Sequence, residues 1–254
     1  MLLAFDVGNT NIVCGVYKDR KLIRHWRVAT DTLQTADGYA ALLGNLFQLT
    51  GLSFKEVEDI IISTVVPPII PILETMSQRY FHTKPILVGP GIKTGLNILY
   101  DNPKELGADR IVNAVAAVDE YKCPLIIIDM GTATTVTAVD ADGAFRGGAI
   151  LPGANLSLAA LYGNTALLPD IPLSVPDKAI GTNTVSCMQS GCILGAALLL
   201  DGMIDRMEAE LGQKTTVVAT GGIAPFITPA CKHPMSPAGD LILRGLAVLY
   251  EQNK

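Results

Sequence analysis

The sequence predicts an α/β protein of two similar lobes, each a mixed sheet flanked by helices, with a cleft between them. Two observations carry this. The chain opens on an apolar strand that runs into Asp-x-Gly ("LLAFDVGNTN", 2–11), and "PLIIIDMGTATTVTAVDADGAF" (124–145) repeats the pattern. One constant offset pairs Asp6 with Asp129, Gly8 with Gly131, Val13 with Val136, Val16 with Val139 and Asp19 with Asp142.

Each copy reads as a buried strand, a tight Gly turn, an alternating strand ("NIVCGVY", "TVTAVD") and a polar turn (KDRK, DADG) into a third strand, which is an antiparallel meander. Behind the first copy the pattern predicts a helix at 36–49, an apolar strand "DIIISTVV" at 59–66, a further helix and a short strand "PILVG" at 85–89. The second half repeats the alternation, with a long helix at 189–211, the strand "TTVVAT" at 215–220 and a closing helix at 238–250. Parallel strands need crossover helices, so each meander is expected to extend by parallel strands. The expected lobes are 1–121 and 122–254, meeting near 121–124.

Composition bounds the functional classes. With 49% hydrophobic and 17% charged residues, a 254-residue chain can bury a large core. A formal net charge of -5 and the lack of a Lys/Arg run argue against nucleic acid as a partner. The five cysteines, Cys14, Cys123, Cys187, Cys192 and Cys231, form no CxxC pair and read as small buried hydrophobes in a reducing compartment. Asp6 interrupts the apolar start before it reaches a secretory length, and no uninterrupted apolar run looks long enough to span a bilayer. The expectation is a cytoplasmic protein without a membrane partner.

The polar turns suggest chemistry. Outward-facing amides in a Gly turn, flanked by Thr and Asn, form a concavity suited to phosphate oxygens. A carboxylate beside phosphates needs a cation between them, so Asp6 and Asp129 read as ligands of Mg2+ or another hard cation. A single Asp-x-Gly is adequately explained as a strand-ending turn; two copies in register are not. In "VVATGGIA" (217–224), paired glycines after a strand would let a flat adenine or ribose approach the backbone. "YDNPKELGADRIVNAVAA" (100–117) opens an amphipathic helix with Gly107, Ala108, Asp109 and Arg110. By themselves these residues leave two readings open. Asp109 is a first-turn capping residue or an acceptor of a hydroxyl proton, and Arg110 is a surface cation or a holder of an anion.

Together, DVGNTN (6–11), GADR (107–110), DMGTATT (129–135), GGAILPG (147–153), GTNTVSCMQSG (181–191) and ATGG (219–222) resemble type III pantothenate kinase over nearly the whole chain. DxGxT and TGG belong to the wider acetate kinase, sugar kinase, Hsp70 and actin superfamily, whereas GADR and the Thr184 segment are far more specific. The resemblance implies a duplicated ribonuclease-H-like (actin-like ATPase) fold and phosphorylation of pantothenate by ATP with Mg2+ and a monovalent cation, potassium or ammonium. It implies that the turn Asp6, Val7, Gly8, Asn9, Thr10, Asn11, Ile12 and Val13 wraps the ATP phosphates, with Asp6 orienting Mg2+ through water. Thr132 would also contact phosphate, and Asp129 would hold the monovalent cation. Asp109 would accept the proton of the pantothenate primary hydroxyl. Tyr100, Gly107, Ala108, Arg110 and Thr184 would bind pantothenate, Arg110 compensating its carboxylate. A homodimer is implied too, and the apolar first half of the 189–211 helix suits its interface.

His25, His82, His233 and Trp26 receive no chemistry, since the histidines share no ligand spacing and the Trp reads as packing. The prolines in 167–181 predict an extended surface loop before Thr184. The rival readings are another kinase or phosphatase of the superfamily and a nucleotide-responsive DNA-binding regulator, which the acidic balance disfavours.

Overall fold

In the computed structural model, which describes residues 1–254, ten strands and seven α-helices follow in this order. The first half holds β1 (Leu2–Val7), β2 (Asn11–Lys18), β3 (Lys21–Ala29), α1 (Ala36–Leu49), β4 (Asp59–Thr64), α2 (Ile70–Met76), β5 (Ile86–Leu87) and α3 (Ala108–Glu120). The second half holds β6 (Leu125–Met130), β7 (Ala133–Val139), β8 (Phe145–Pro152), α4 (Ala154–Gly163), α5 (Thr184–Leu211), β9 (Thr216–Thr220), α6 (Ala224–Ile227), β10 (Ser236–Pro237) and α7 (Leu241–Asn253). The chain forms two compact units. One comprises Met1–Gly95, Asn102–Ala116 and Leu241–Lys254, the other Leu96–Asp101 and Ala117–Asp240.

The two sheets share one topology, β3-β2-β1-β4-β5 in the first unit and β8-β7-β6-β9-β10 in the second. In each, the meander pairs antiparallel and the later strands add in parallel. The central strands β1 and β6 have the same burial pattern, apolar on both faces until the aspartate, as strands covered on both sides must be. The β2–β3 hairpin closes on Asp19 (φ 50°) and Arg20 (φ 63°), the positive dihedrals of a two-residue turn that follows the strand twist.

Side chains alternate across each sheet. In the first unit Leu3, Phe5, Val7, Ile60 and Ile62 face α1 and α2, joining Leu43, Phe47, Ile69 and Leu73 in one core. Phe47 stacks edge-on against Phe54 at 4.9 Å and lies 5.4 Å from Trp26, so Trp26 is packing, as expected. Each such fully buried aromatic or aliphatic side chain contributes about 1.5–3 kcal/mol. The opposite face carries Ala4, Asp6, Ile61 and Ser63; α7 covers it where Leu243 lies over Gly15, and Gly245 lets α7 close onto Val112 of α3. The second unit repeats this, with Ile126, Ile128, Met130, Val217 and Ala219 packed on Ile193, Ala197, Leu200 and Ile204 of α5.

Several boundaries differ from those expected. Helix α5 begins at Thr184 instead of 189 because Asn183 and Ser186 form a reciprocal capping box, with Ser186 N–H donating to Asn183 Oδ1 at 2.9 Å. It ends at Gly212 in a left-handed conformation (φ 71°). By length and composition this helix is long and apolar enough to cross a membrane, but Gln189, Ser190 and Asp201 interrupt its apolar run, and one stripe of it is packed in the second core. The closing helix runs from 241 to 253 instead of 238 to 250, and α4 is an additional helix beyond those the sequence pattern predicts. Residues 164–183 lack regular structure, and Ile171 anchors them against Leu158, Met188 and Cys192. All five cysteines are free, but only Cys14 and Cys192 are buried; Cys123 and Cys231 are partly buried and Cys187 is exposed, which corrects the view of all five as buried.

Candidate active site

The first Asp-x-Gly turn is built by register. Asp6, the penultimate residue of β1, pairs with Val13 on β2 and Ser63 on β4, and its side chain is half-buried. Gly8 N–H donates to Asn11 O at 3.0 Å and closes the turn. Thr30, at the end of β3, fixes it from outside: its hydroxyl donates to Gly8 O at 2.7 Å and its N–H to Thr10 O at 3.0 Å. Asn9 and Thr10 are left exposed at the tip.

The second turn is one residue shorter, so Asp129 pairs with Thr135 on β7 where the offset would bring Val136, while on the parallel side it meets Thr220 on β9 as Asp6 meets Ser63 on β4. It is held more tightly. Gly131 N–H donates to Ala133 O at 3.1 Å, and Gly153 N–H donates to Thr132 O at 3.1 Å. A Cβ on Gly153 would fall 2.4 Å from Thr132 O and 2.5 Å from Gly131 O. Gly221, the first glycine of ATGG, has φ 95°, and a Cβ there would sit 2.5 Å from Met130 O. Neither position has room for a side chain, so the backbone of 130–132 is clamped while Thr132 itself stays exposed.

Asp109 lies in the first turn of α3. Its Oδ1 accepts the N–H of Arg110 at 2.8 Å, and a Cβ on Gly107 would come within 2.5 Å of that oxygen. Burial pushes the carboxyl above the ordinary carboxylate value, opposed by the Arg110 N–H and by the Arg110 charge. Arg110 is itself buried, 6% exposed, which removes the reading of it as a surface cation. Asn113, one turn further along, is 3% exposed and was not singled out in the sequence.

The oxygen donors of the two turns suit hard cations and offer no soft ligand. The family model of type III pantothenate kinase matches residues 2–206. The chain belongs to the type III pantothenate kinase family. A type III pantothenate kinase from an Exiguobacterium species is 49% identical over 254 residues, covering all of both chains. Two solved structures, each under 25% identical, show the fold alone. A Campylobacter jejuni protein described as a Baf family transcriptional activator superposes with a TM-score of 0.64 at 19% identity, over 99% of this chain and 98% of that one. MreB 5 of Spiroplasma citri bound to AMPPNP gives 0.55 at 12% identity, over 98% and 96%. The fold these structures share with the chain is the duplicated ribonuclease-H-like fold, and the chain is a kinase of the type III pantothenate kinase family.

The other residues expected to meet substrate divide between the units: Gly107, Ala108 and Arg110 lie in the first, Tyr100 and Thr184 in the second. Tyr100 is placed by strand-like pairing of its own segment, since Phe145 N–H donates to Asn97 O and Leu99 N–H to Phe145 O. Its ring meets the Phe145 ring at 6.2 Å and 72°. Thr184 is the exposed first residue of α5, next to the Asn183 cap.

One cluster escaped the sequence reading. His233 Nε2 lies 3.0 Å from Asp205 Oδ1, and Glu208 is close to both. Glu208 already accepts Lys214 Nζ at 2.6 Å and the Thr215 N–H at 2.9 Å. Buried Asp201 accepts the N–H groups of Lys232 and His233 at 2.7 and 3.0 Å. These bonds fasten 231–233 and the start of β9 to α5. No spacing rule could find them, because the partners are distant in sequence.

Proposed function

We propose that this chain transfers the terminal phosphoryl group of ATP to the primary hydroxyl of pantothenate, giving 4'-phosphopantothenate, the first step of coenzyme A biosynthesis. The observation that carries the reading is the fixed Asp109 carboxylate, in a chain that belongs to this kinase family from end to end. Phosphoryl transfer asks for alignment and charge neutralisation more than covalent chemistry. Because Oδ1 of Asp109 is held by the Arg110 N–H, Oδ2 is the oxygen that receives the hydroxyl proton. A primary alcohol is a weak acid, so Asp109 orients the hydroxyl first and takes its proton late, as the bond to phosphorus forms.

The turn from Asp6 to Val13 and Thr132 contact the phosphates. Asp6 would hold Mg2+ through water and Asp129 a potassium or ammonium ion; these cations, when bound, neutralise charge on the phosphates. The buried guanidinium of Arg110 compensates the pantothenate carboxylate, and Gly107, Ala108, Tyr100 and Thr184 complete the substrate contacts. A cytoplasmic homodimer fits this reading. Leu198 and Leu199 of α5 are 71% and 43% exposed, an apolar surface suited to a second copy.

The test is turnover of ATP against a panel of alcohols, with and without potassium, and sizing in solution. Pantothenate-dependent ADP release supports the proposal. Brisk phosphorylation of a sugar with none of pantothenate overturns it.

A further inference from the structure

We propose that Ser63 is a positioning residue for Asp6: its hydroxyl donates to the Asp6 carboxylate in the metal-nucleotide complex and sets which oxygen that carboxylate presents. The proposal rests on Asp6 being the metal-nucleotide ligand. Ser63 is 0% exposed, and its Oγ has no hydrogen-bond partner in the protein. It stands at the end of β4, whose preceding residues are Ile60, Ile61 and Ile62. A small apolar residue would pack there without burying a hydroxyl, so the position calls for a reason.

Register supplies one. Ser63 pairs directly with Asp6 across the parallel β1–β4 ladder. Residues so paired project from the same face, and the alternating neighbours Phe5, Val7 and Ile62 all belong to the core on the opposite face. Adjacent strands lie about 4.8 Å apart, so a rotation about χ1 brings the hydroxyl within reach of the carboxylate.

The second unit repeats the arrangement independently. Asp129 pairs with Thr220 across the parallel β6–β9 ladder, and Thr220 is a buried hydroxyl, 5% exposed. Its alternating neighbours Ala219 and Val217 belong to the core on the opposite face, as do Ile128 and Met130 beside Asp129. The duplicated fold thus sets a hydroxyl beside each of its two strand-end aspartates. A hydroxyl donated to one carboxylate oxygen leaves the other free for a cation or its water and limits the rotation that would blur that geometry.

The experiment compares wild type, Ser63→Ala, Ser63→Thr and Asp6→Asn by calorimetric titration of a non-hydrolysable ATP analogue at graded Mg2+ concentrations, together with pantothenate KM and thermal unfolding. For Ser63→Ala, the Mg2+ concentration at half-maximal binding is expected to rise on the order of ten-fold. Pantothenate KM stays unchanged, and the unfolding temperature is unchanged or higher. Ser63→Thr keeps the hydroxyl, in the form the second unit already accommodates, and retains the wild-type response. Wild-type Mg2+ dependence in Ser63→Ala, with a weakened response in Asp6→Asn, overturns the role of Ser63 alone. An unaltered response in Asp6→Asn overturns the metal-ligand reading beneath it.

Discussion

Gly153→Ala isolates the clamp on the second Asp-x-Gly turn, proposed above to contact phosphate. Gly153 has φ -67° and ψ 157°, dihedrals an alanine adopts without strain. The whole effect therefore comes from the added methyl, which would sit 2.4 Å from Thr132 O, 2.5 Å from Gly131 O and 2.9 Å from Thr132 C. All three are backbone atoms, so no side-chain rotation relieves the contact. Restoring ordinary van der Waals separation moves the turn by roughly 1 Å. Overpacking of this kind costs about 1–3 kcal/mol, and the reduced freedom of the unfolded chain returns about 0.4–1 kcal/mol. A net loss of about 1–2 kcal/mol leaves a protein of ordinary stability folded. A phosphate contact displaced by roughly 1 Å, however, lowers turnover on the order of 100-fold. Steady-state kinetics with ATP varied, set beside urea unfolding, read both effects. Gly202→Ala is the control. Nothing lies within 4 Å of a Cβ at that mid-helix position, so it should gain about 0.8–1 kcal/mol and keep full activity. An unshifted unfolding midpoint in Gly153→Ala would refute the steric reasoning, and a lowered midpoint with wild-type turnover would refute the phosphate role of the turn.

The other expected outcomes concern the carboxylates. Asp109→Asn should bind the ATP analogue nearly as wild type while turnover falls about 10²–10⁴-fold; wild-type rates would remove Asp109 from its role. Because burial raises the Asp109 pKa above 3.8, the folded state binds its proton more tightly than the unfolded chain. The contribution of Asp109 to stability is therefore full below 3.8 and is lost as the pH rises through the folded value. Asp109→Asn should match wild type in acid and become relatively more stable towards neutrality, as unfolding midpoints at several pH values will show; a gap that narrows with rising pH contradicts this. On the proposed cation roles, Asp129→Asn should abolish the expected activation by potassium while leaving the expected Mg2+ dependence in place, measured as rate against each cation; unchanged potassium activation would unseat Asp129.

Much of the fold was legible in the residues themselves, and so was the grouping of Asp109 and Arg110 at the start of one helix. The alternation of β2 and β7, the turns at Gly8 and Gly131, and the offset that superposes Asp6 on Asp129 are local patterns, and the two sheets have the identical topology that such a duplication demands. The capping box at Asn183 is also in the letters, and it starts α5 at Thr184, ahead of the apolar periodicity that sets in at 189. The family motifs pointed to Asp109 and Arg110. Burial of the Arg110 side chain was beyond them, since solvent exclusion at a helix start depends on what packs over it.

What the sequence determined by itself, then, is whatever steric and hydrogen-bonding preference acts within a few residues: strand, turn, helix and the order in which they come. Only the tertiary structure decided that the closing helix α7 completes the first unit, that Gly153 bears on Thr132, and that Ser63 stands beside Asp6 as Thr220 stands beside Asp129. The reason is that parallel register and close backbone approach join segments far apart along the chain. No period or spacing encodes such contacts; they are set by how buried faces fit once the sheets have formed.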